Sequence, residues 1–153
     1  MPGPCDLDAT FLPVGQMRQL TSVASFDEDG IVCGMSIESH WTYPIHFPDD
    51  PILPGSLIIE AAGQATALWA WLSGQRGRPR MVKASAVFRA PARPEHASLT
   101  LRARVRRRRH LNFGDVSVRI GDQEIATVAN CVAVMPADPG SGPGTAARPS
   151  GRP

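Results

Sequence analysis

The chain has 153 residues, of which 42% are hydrophobic and 20% are charged, a composition that suits one globular domain and excludes a mostly disordered protein. A net charge of +2 is too small to indicate nucleic-acid binding, although four consecutive arginines, Arg106 to Arg109, concentrate the positive charge. The three cysteines are far apart and predict free thiols in a reducing compartment.

Neither a targeting segment nor a membrane span is expected. The N-terminal sequence MPGPCDLDATFLP lacks the basic start and the apolar core of a signal peptide. The longest apolar stretch, residues 57–72, is interrupted by polar residues and is shorter than the roughly 20 residues that cross a bilayer. These features predict a cytoplasmic protein without a membrane partner.

The two ends of the chain differ in composition from its middle. Residues 1–10 are predicted to be a flexible N-terminus, and residues 136–153, half of which are Pro or Gly, a disordered tail. Residues 11–135 contain the apolar patterns and form the one predicted domain, which has no internal repeat.

The elements of this domain follow from its residue periodicity. Alternating apolar and polar residues predict strands at 31–38, 81–90 and 98–106, and a hairpin of strands 115–120 and 123–134. Four prolines in the loop before Gly55 oppose a helix until that residue. The helix that follows, to about Leu72, is apolar on nearly every side and requires burial on every side. We therefore predict an α+β fold in which a long antiparallel sheet wraps around one central helix.

Two residues near the helix start have the types expected for acid–base chemistry. His46 lies in the proline-rich loop, and Glu60, fourteen residues later, is the one charged residue of the helix. Because an unpaired carboxylate is costly to bury, Glu60 is expected to be neutral and to act as a general acid, with the imidazole of His46 as the base. The first-turn amide of Gly55 has no partner within the helix and suits a carbonyl oxygen. Both titratable residues also have ordinary structural roles, so their spacing alone does not decide between these readings.

The segment HFPDDPILPGSLIIEAAGQ, residues 46–64, resembles the signature of the hot-dog-fold β-hydroxyacyl-acyl-carrier-protein dehydratases. That signature is His-Phe, a turn, Pro-x-x-Pro-Gly, and an acidic residue fourteen positions after the histidine. The likeness extends over about residues 11–135. It implies a hot-dog fold and removal of water from 3-hydroxyacyl thioesters to give trans-2-enoyl products, in fatty-acid or polyketide-type biosynthesis.

The resemblance also implies partners and roles. The substrate is presented on the phosphopantetheine of acyl carrier protein, and no metal or diffusible cofactor is needed. At least a dimer is implied, either a homodimer or a heterodimer with a second hot-dog subunit, in which each site takes its histidine from one subunit and its carboxylate from the other. By position, His46 and Glu60 are the catalytic pair and the Gly55 amide binds the thioester carbonyl. The other expected substrate-binding residues are Gln64, which orients Glu60, Phe47 and Pro54.

The run of four arginines and the two tryptophans at the helix end support less specific interpretations. The four arginines Arg106, Arg107, Arg108 and Arg109 are predicted to dock the acidic carrier protein, although a solvated sheet edge explains the same run. Trp69 and Trp71 are expected to pack the helix end, with the lining of an acyl tunnel as the alternative for one of them.

Two residues depart from the family pattern and keep other functions open. Ile45 stands where the family has Gly or Cys before the histidine, and Asp49 replaces a glycine of the following turn. We therefore retain a non-catalytic or co-catalytic subunit of a heterodimeric dehydratase as one alternative. A hot-dog acyl thioesterase is the other, although such enzymes generally lack the loop histidine, and double-bond isomerisation also stays open.

Overall fold

The computed structural model describes residues 5–136. The predicted tail from residue 137 onward lies outside the described residues, and the proposed domain boundaries stay predictions. Short 3-10 turns occur at Leu7–Ala9, Gly15–Met17 and Pro94–His96. The helix and strands, in chain order, are β1 (Ser22–Phe26), β2 (Gly30–Ser36), α1 (Gly55–Leu72), β3 (Arg78–Phe88), β4 (Ser98–Arg108), β5 (Leu111–Ile120) and β6 (Gln123–Met135).

The strands form one antiparallel sheet of six strands in the order β1-β2-β4-β5-β6-β3. β1 and β3 are therefore the two edge strands, although β3 lies between α1 and β4 in the sequence. α1 packs against β2, β3, β4, β5 and β6. The predicted architecture of one helix enclosed by a long antiparallel sheet is confirmed.

The helix begins where the prolines of the preceding loop end. The carbonyl of Pro54 accepts hydrogen bonds from the amides of Leu57 and Ile58 at 3.0 and 3.3 Å, which starts the first turn. Every residue from 61 to 70 is buried, as the apolar character of the helix on all sides requires. Burying a Leu or Ile side chain contributes about 2 kcal/mol, and the largest fully buried side chains include Leu20, Met35, Ile37, Leu68, Leu99, Leu101, Val118, Ile125, Val128 and Val132.

The strand predictions hold with different bounds. The hairpin turn predicted at Gly121-Asp122 is present, with Ile120 paired to Gln123 and Gly121 at φ 55°. β3 begins at Arg78 rather than at residue 81, and β5 begins at Leu111 rather than at 115. The alternation does not predict β1, because its five residues are all exposed or half-buried.

No helix within residues 5–136 is long and apolar enough to span a membrane.

Cys33 and Cys131 are buried and Cys5 is half-buried, and all three are free thiols. Burial, and to a lesser degree the neighbouring Cys5, raises the pKa of Cys33 to about 12. Cys33 is therefore a protonated core residue at neutral pH.

A polar contact between α1 and β5 depends on a glycine. Thr66, at the centre of α1, donates a hydrogen bond to the carbonyl of Ala62 at 3.3 Å. Its hydroxyl lies where a Cβ atom on Gly114 of β5 would be, and the side-chain oxygen of Asn130 would lie 3.1 Å from the same Cβ. Gly114 therefore allows a close approach between the helix and the middle of the sheet.

Replacement of Gly114 by alanine is expected to lower the free energy of unfolding by about 2 kcal/mol, because the added methyl group overpacks this contact. Chemical denaturation followed by circular dichroism measures the change. The matched control is the double variant Gly114→Ala/Thr66→Ala, which removes the opposing hydroxyl. It should recover a large part of the loss, and equal destabilisation of the single and double variants would contradict this explanation.

Candidate functional site

His46 is fixed in its loop by the main chain of Ile52. The ring Nδ1 lies 3.0 Å from the Ile52 carbonyl oxygen, and the Ile52 amide donates to the His46 carbonyl at 3.0 Å. A carbonyl oxygen only accepts, so Nδ1 carries the proton and the lone pair of the neutral ring is on Nε2. The ring of Phe47 stacks on the imidazole with centroids 4.5 Å apart, and the peptide bond between the two residues is cis.

The turn after His46 is tied to a distant part of the chain. Phe47 and Asp50 exchange two main-chain hydrogen bonds of 3.1 Å. The guanidinium of Arg93, between β3 and β4, forms a 2.5 Å ion pair with the Asp50 carboxylate. The two departures from the family pattern, Ile45 and Asp49, are both exposed, so neither disturbs the packing beneath this loop.

Gly55 opens the first turn of α1 at the edge of a cavity of about 400 Å³. Ile52 and Phe88 also line this cavity. Because Ile52 belongs to the loop that carries His46, the cavity adjoins that loop. A Cβ atom on Gly55 would meet the Phe88 ring at 2.8 Å, so only glycine fits beneath that ring without displacing it. The Gly55 amide belongs to the helix-start donors that α1 itself does not satisfy.

Glu60 is half-buried rather than fully buried, and Gln64 holds its carboxyl group. The Gln64 Nε2 donates to Glu60 Oε1 at 2.9 Å and to the Met17 carbonyl at 2.7 Å. The Gln64 Oε1 accepts from the amides of Gln19 and Leu20 at 2.8 and 3.4 Å. All four hydrogen-bonding positions of this buried amide are occupied, so Gln64 has one orientation and fixes Glu60 Oε1 in place. The predicted contact between the two residues is present.

A second layer of polar groups supports this arrangement. The side-chain oxygen of Gln19 lies 3.1 Å from His40 Nε2, and His40 Nδ1 accepts from the Thr42 amide at 3.3 Å and lies 2.8 Å from the Thr42 hydroxyl. His40 is therefore a neutral ring protonated on Nε2, and burial lowers its pKa. Sequence reasoning misses this layer, because neither the segment before β1 nor the position of His40 carries a periodic or motif signal.

Glu60 and Gln64 line a separate cavity of about 200 Å³. Its other walls come from α1, from the start of β3, from β6 and from the segment before β1. They are formed by Leu12, Pro13, Gly63, Ala67, Pro79, Arg80, Met81 and Val132. Glu60 and Arg80 are thus the two charged residues that line an otherwise largely apolar space.

Within one protomer the expected site residues lie in two separate groups. We call His46, Ile52 and Gly55 the histidine half-site, and Glu60 with Gln64 the carboxylate half-site. Ile52 and Gly55 line one cavity, Glu60 and Gln64 line another, and His46 lines neither. Of the expected substrate-binding residues, Phe47 lies against His46 and Pro54 directly precedes Gly55. Within one protomer the expected site residues therefore do not share one cavity.

The arginines lie at the other end of the molecule. Arg106, Arg107 and Arg108 end β4 and Arg109 follows in the turn to β5, and all four are exposed. Arg107 lies over the ring of Trp69, near the end of α1, at 5.5 Å. α1 has 18 residues and is therefore about 27 Å long, so this patch is far from Gly55 of the same protomer. Within residues 5–136 none of the four forms an ion pair.

The two tryptophans pack the helix end as predicted. Trp69 is 5% exposed and donates through its indole nitrogen to the Asp27 carbonyl at 3.0 Å. Trp71 is half-buried between the ring of Phe11 and the guanidinium of Arg76.

Among the described residues, no group of three or more His, Cys, Asp or Glu side chains is arranged to hold a metal ion.

Comparisons with known proteins identify the family. Solved structures that resemble this fold include a thioesterase from Staphylococcus aureus subsp. aureus Mu50 (TM-score 0.62, 18% identity, 75% of this chain and 93% of that chain). A thioesterase from Haemophilus influenzae is also similar (TM-score 0.60, 18% identity, 75% and 78%). These identities establish the hot-dog fold and no activity.

Sequence relatives are more informative. The 3-hydroxyacyl-[acyl-carrier-protein] dehydratase FabZ of Brucella melitensis biotype 2 is 31% identical over 117 aligned positions that cover 67% of this chain and 73% of the relative. The FabZ of Brucella abortus strain S19 is 30% identical over the same share. The family model for the FabA-like domain matches residues 12–129. The chain therefore belongs to the FabA-like family of hot-dog acyl-carrier-protein dehydratases.

Proposed function

We propose that the protein removes water from 3-hydroxyacyl thioesters carried on acyl carrier protein, giving trans-2-enoyl thioesters, in fatty-acid or polyketide-type biosynthesis. The observation that carries this proposal is the complementarity of the two half-sites. One offers an imidazole whose Nδ1 is occupied and whose Nε2 is available as a base. The other offers a carboxyl group that Gln64 holds at an apolar cavity. Family membership and the FabZ relatives support the same reaction.

In the proposed reaction the thioester carbonyl accepts a hydrogen bond from the Gly55 amide. Charge that develops on that oxygen is stabilised by the amide and by the positive end of the helix dipole. His46 Nε2 then takes the α-proton, and the electron pair of the broken C–H bond forms the new double bond. Glu60 gives a proton to the departing β-hydroxyl, which leaves as water. Because Oε1 accepts from Gln64, Oε2 is the oxygen that carries the transferred proton.

The proposed site combines half-sites of two protomers, and the edge strand β3 supports this assembly. Four large apolar side chains of β3, Met81, Val82, Val87 and Phe88, are 41%, 61%, 54% and 47% exposed. An exposed apolar edge strand offers unpaired main-chain groups to another strand and favours association. We propose that β3 pairs with β3 of a second copy. This brings the histidine half-site of one copy towards the carboxylate half-site of the other.

The carrier protein is the proposed macromolecular partner, and its proposed docking surface is the run Arg106 to Arg109. Among the described residues none of the four forms an ion pair, although Glu28, Asp29 and Asp115 line the same cavity as Arg106 and Arg107. We propose that their charge attracts an acidic surface. The patch lies at the end of α1 opposite Gly55. Within one protomer the patch is not adjacent to Gly55. A docked carrier protein would therefore have to serve a site at a distance from the patch.

The alternatives give different products. A thioesterase would release a free acid, and the similar thioesterase structures support that outcome only through the shared fold. A non-catalytic subunit would be inactive alone, but an intact His46 loop and an ordered Glu60–Gln64 pair support a subunit with its own chemistry.

The variants His46→Ala and Glu60→Gln are each expected to lower kcat for dehydration about 100-fold or more, because general acid–base groups contribute that much. The assay incubates the purified protein with a 3-hydroxyacyl carrier protein and follows the loss of one water by mass spectrometry. The exposed residues His110 and Glu95 provide matched controls as His110→Ala and Glu95→Gln, which should retain activity. Release of free acid, or full activity of either site variant, would contradict the proposal.

The docking surface predicts an effect that depends on the form of the substrate. Reversing two charges with Arg106→Glu/Arg108→Glu should raise KM for a carrier-bound substrate about tenfold, since complementary charge guides association. The same variant should leave kcat unchanged, and its activity on a short thioester without the carrier should also be unchanged. Equal loss on both substrates would contradict docking and indicate damage to the fold.

A further inference from the structure

The imidazole of His40 is fixed at both of its nitrogen atoms. Nδ1 accepts a hydrogen bond from the Thr42 amide at 3.3 Å and lies 2.8 Å from the Thr42 hydroxyl. Because Nδ1 carries the lone pair, the proton of the neutral ring is on Nε2, which donates to the side-chain oxygen of Gln19 at 3.1 Å. The Trp41 ring stacks on the imidazole with centroids 5.7 Å apart, and the Tyr43 ring meets it edge to face at 6.0 Å. These contacts define one orientation of the ring.

Gln19 connects His40 to the two main-chain groups that hold Gln64. The Gln19 Nε2 donates to the carbonyls of Gln16 and Met17 at 2.8 and 3.1 Å. The same Met17 carbonyl accepts from the Gln64 Nε2 at 2.7 Å, and the Gln19 amide donates to the Gln64 Oε1 at 2.8 Å. Gln19 and Gln64 are each 3% exposed, so these bonds are protected from competition with water.

The Nε2 proton of His40 satisfies an oxygen that is otherwise buried without a donor. Both hydrogens of the Gln19 side-chain amide are directed at carbonyl groups, which leaves its Oε1 to accept from His40. A buried acceptor without a partner is costly. Loss of the His40 donor would therefore favour a displaced Gln19, and the Met17 carbonyl and the Gln19 amide, which both hold Gln64, would be displaced with it.

We infer that His40 is a positioning residue for Glu60, on which it acts through Gln19 and Gln64. Three hydrogen bonds lead from the His40 ring to Glu60 Oε1, by way of the Gln19 side chain and main chain and then the Gln64 amide. The inference rests on the proposed function, in which Glu60 has to give its proton at a defined place. Because proton transfer depends on the position of the acid relative to the departing oxygen, a loosened carboxyl group slows the chemical step.

His40 is not expected to affect substrate binding. Its ring lines neither the cavity at Glu60 nor the cavity at Gly55. A residue that acts only on the placement of the acid should therefore change kcat and leave KM as it is. This separation of kcat from KM distinguishes a positioning residue from a group that contacts the substrate.

Two substitutions at position 40 separate the two sides of the ring. His40→Asn retains an acceptor near the place of Nδ1, facing Thr42, but lacks the donor to Gln19. His40→Gln retains a donor near the place of Nε2, facing Gln19, but lacks the acceptor for the Thr42 amide. Both variants remove the aromatic ring, so the loss of its stacking on Trp41 is common to them and does not explain a difference between them.

The measurement is kcat and KM for dehydration of a 3-hydroxyacyl carrier protein. His40→Asn should lower kcat about tenfold with KM unchanged, since a misplaced catalytic group costs rate. His40→Gln, which restores the donor, should keep kcat within about twofold of the wild-type value. His96→Asn is the matched control, because His96 is also a half-buried loop histidine whose Nδ1 accepts from a main-chain amide, that of Arg93 at 3.0 Å. It should leave both constants unchanged.

A second pair of variants tests whether the effect depends on Glu60. In Glu60→Gln the acid is absent, so its placement no longer affects the rate. Adding His40→Asn to Glu60→Gln should therefore lower the residual kcat less than about twofold, because effects on one unit are not additive. Long incubations followed by mass spectrometry measure this low rate. Damage to the fold would instead lower kcat by the same factor with and without Glu60.

Failure of the inference and failure of the proposed function give different results. The inference is overturned, and the function stands, if His40→Asn dehydrates the substrate as fast as the wild-type protein or if His40→Asn and His40→Gln lose activity equally. It is also overturned if His40→Asn costs the same factor in the Glu60→Gln background. If the wild-type protein dehydrates no 3-hydroxyacyl carrier protein, the proposed function fails and the inference fails with it.

Discussion

α1 has to be covered on all sides, and this requirement determines where the rest of the molecule can lie. Residues 61–70 are buried within the single chain because the sheet curves around the helix, which packs against β2, β3, β4, β5 and β6. The segment before β1 adds to this cover through the hydrogen bonds that Gln19 and Leu20 donate to Gln64. β3 approaches closely because the Met81 methyl group and the Phe88 ring lie where Cβ atoms of Gly63 and Gly55 would be. The helix glycines Gly55 and Gly63 therefore serve packing, in addition to the role proposed for the Gly55 amide.

The proposed catalytic residues of α1 lie where this cover is incomplete. At the first turn the Gly55 amide lines a cavity, and one turn later Glu60 lines another. Gln64 connects the carboxyl group to the main chain of the segment before β1 through four hydrogen bonds. That segment thus covers the helix, orients the proposed acid and forms one wall of the adjoining apolar cavity. A single short segment therefore links helix packing, the orientation of Glu60 and the shape of the adjoining cavity.

Sequence reasoning predicts the parts of this structure that have a periodic signal. The long helix, the β5–β6 hairpin and the alternation in β4 follow from their patterns, since burial on one side of a strand or around a helix leaves a regular spacing. β1 has no such pattern, because none of its residues is fully buried. The start of β3 is also missed, since edge residues with both faces partly exposed show little alternation. Tertiary pairing, and not local preference, determines these bounds.

The features of the candidate site also divide into those that the sequence predicts and those that it does not. The spacing of His46 and Glu60 identifies candidates, but their assignment as a pair comes from the resemblance to the dehydratases. The contact between Glu60 and Gln64 is predictable because four residues along a helix share a face. The links from Gln64 to Gln19, and from there to His40, join chain segments far apart in the sequence, and no local pattern encodes them. The contact between Phe11 and Trp71 is likewise visible only in the folded chain.

The proposed reaction requires a site shared between two copies, and subunit mixing tests this requirement directly. His46→Ala and Glu60→Gln chains, inactive separately, are denatured together and refolded as a mixture. If each site takes His46 from one copy and Glu60 from the other, half of the dimers are mixed and each has one intact site, so activity should return to roughly a quarter of the wild-type value. Activity that stays at the level of the separate variants, although mixed dimers form, would contradict a shared site.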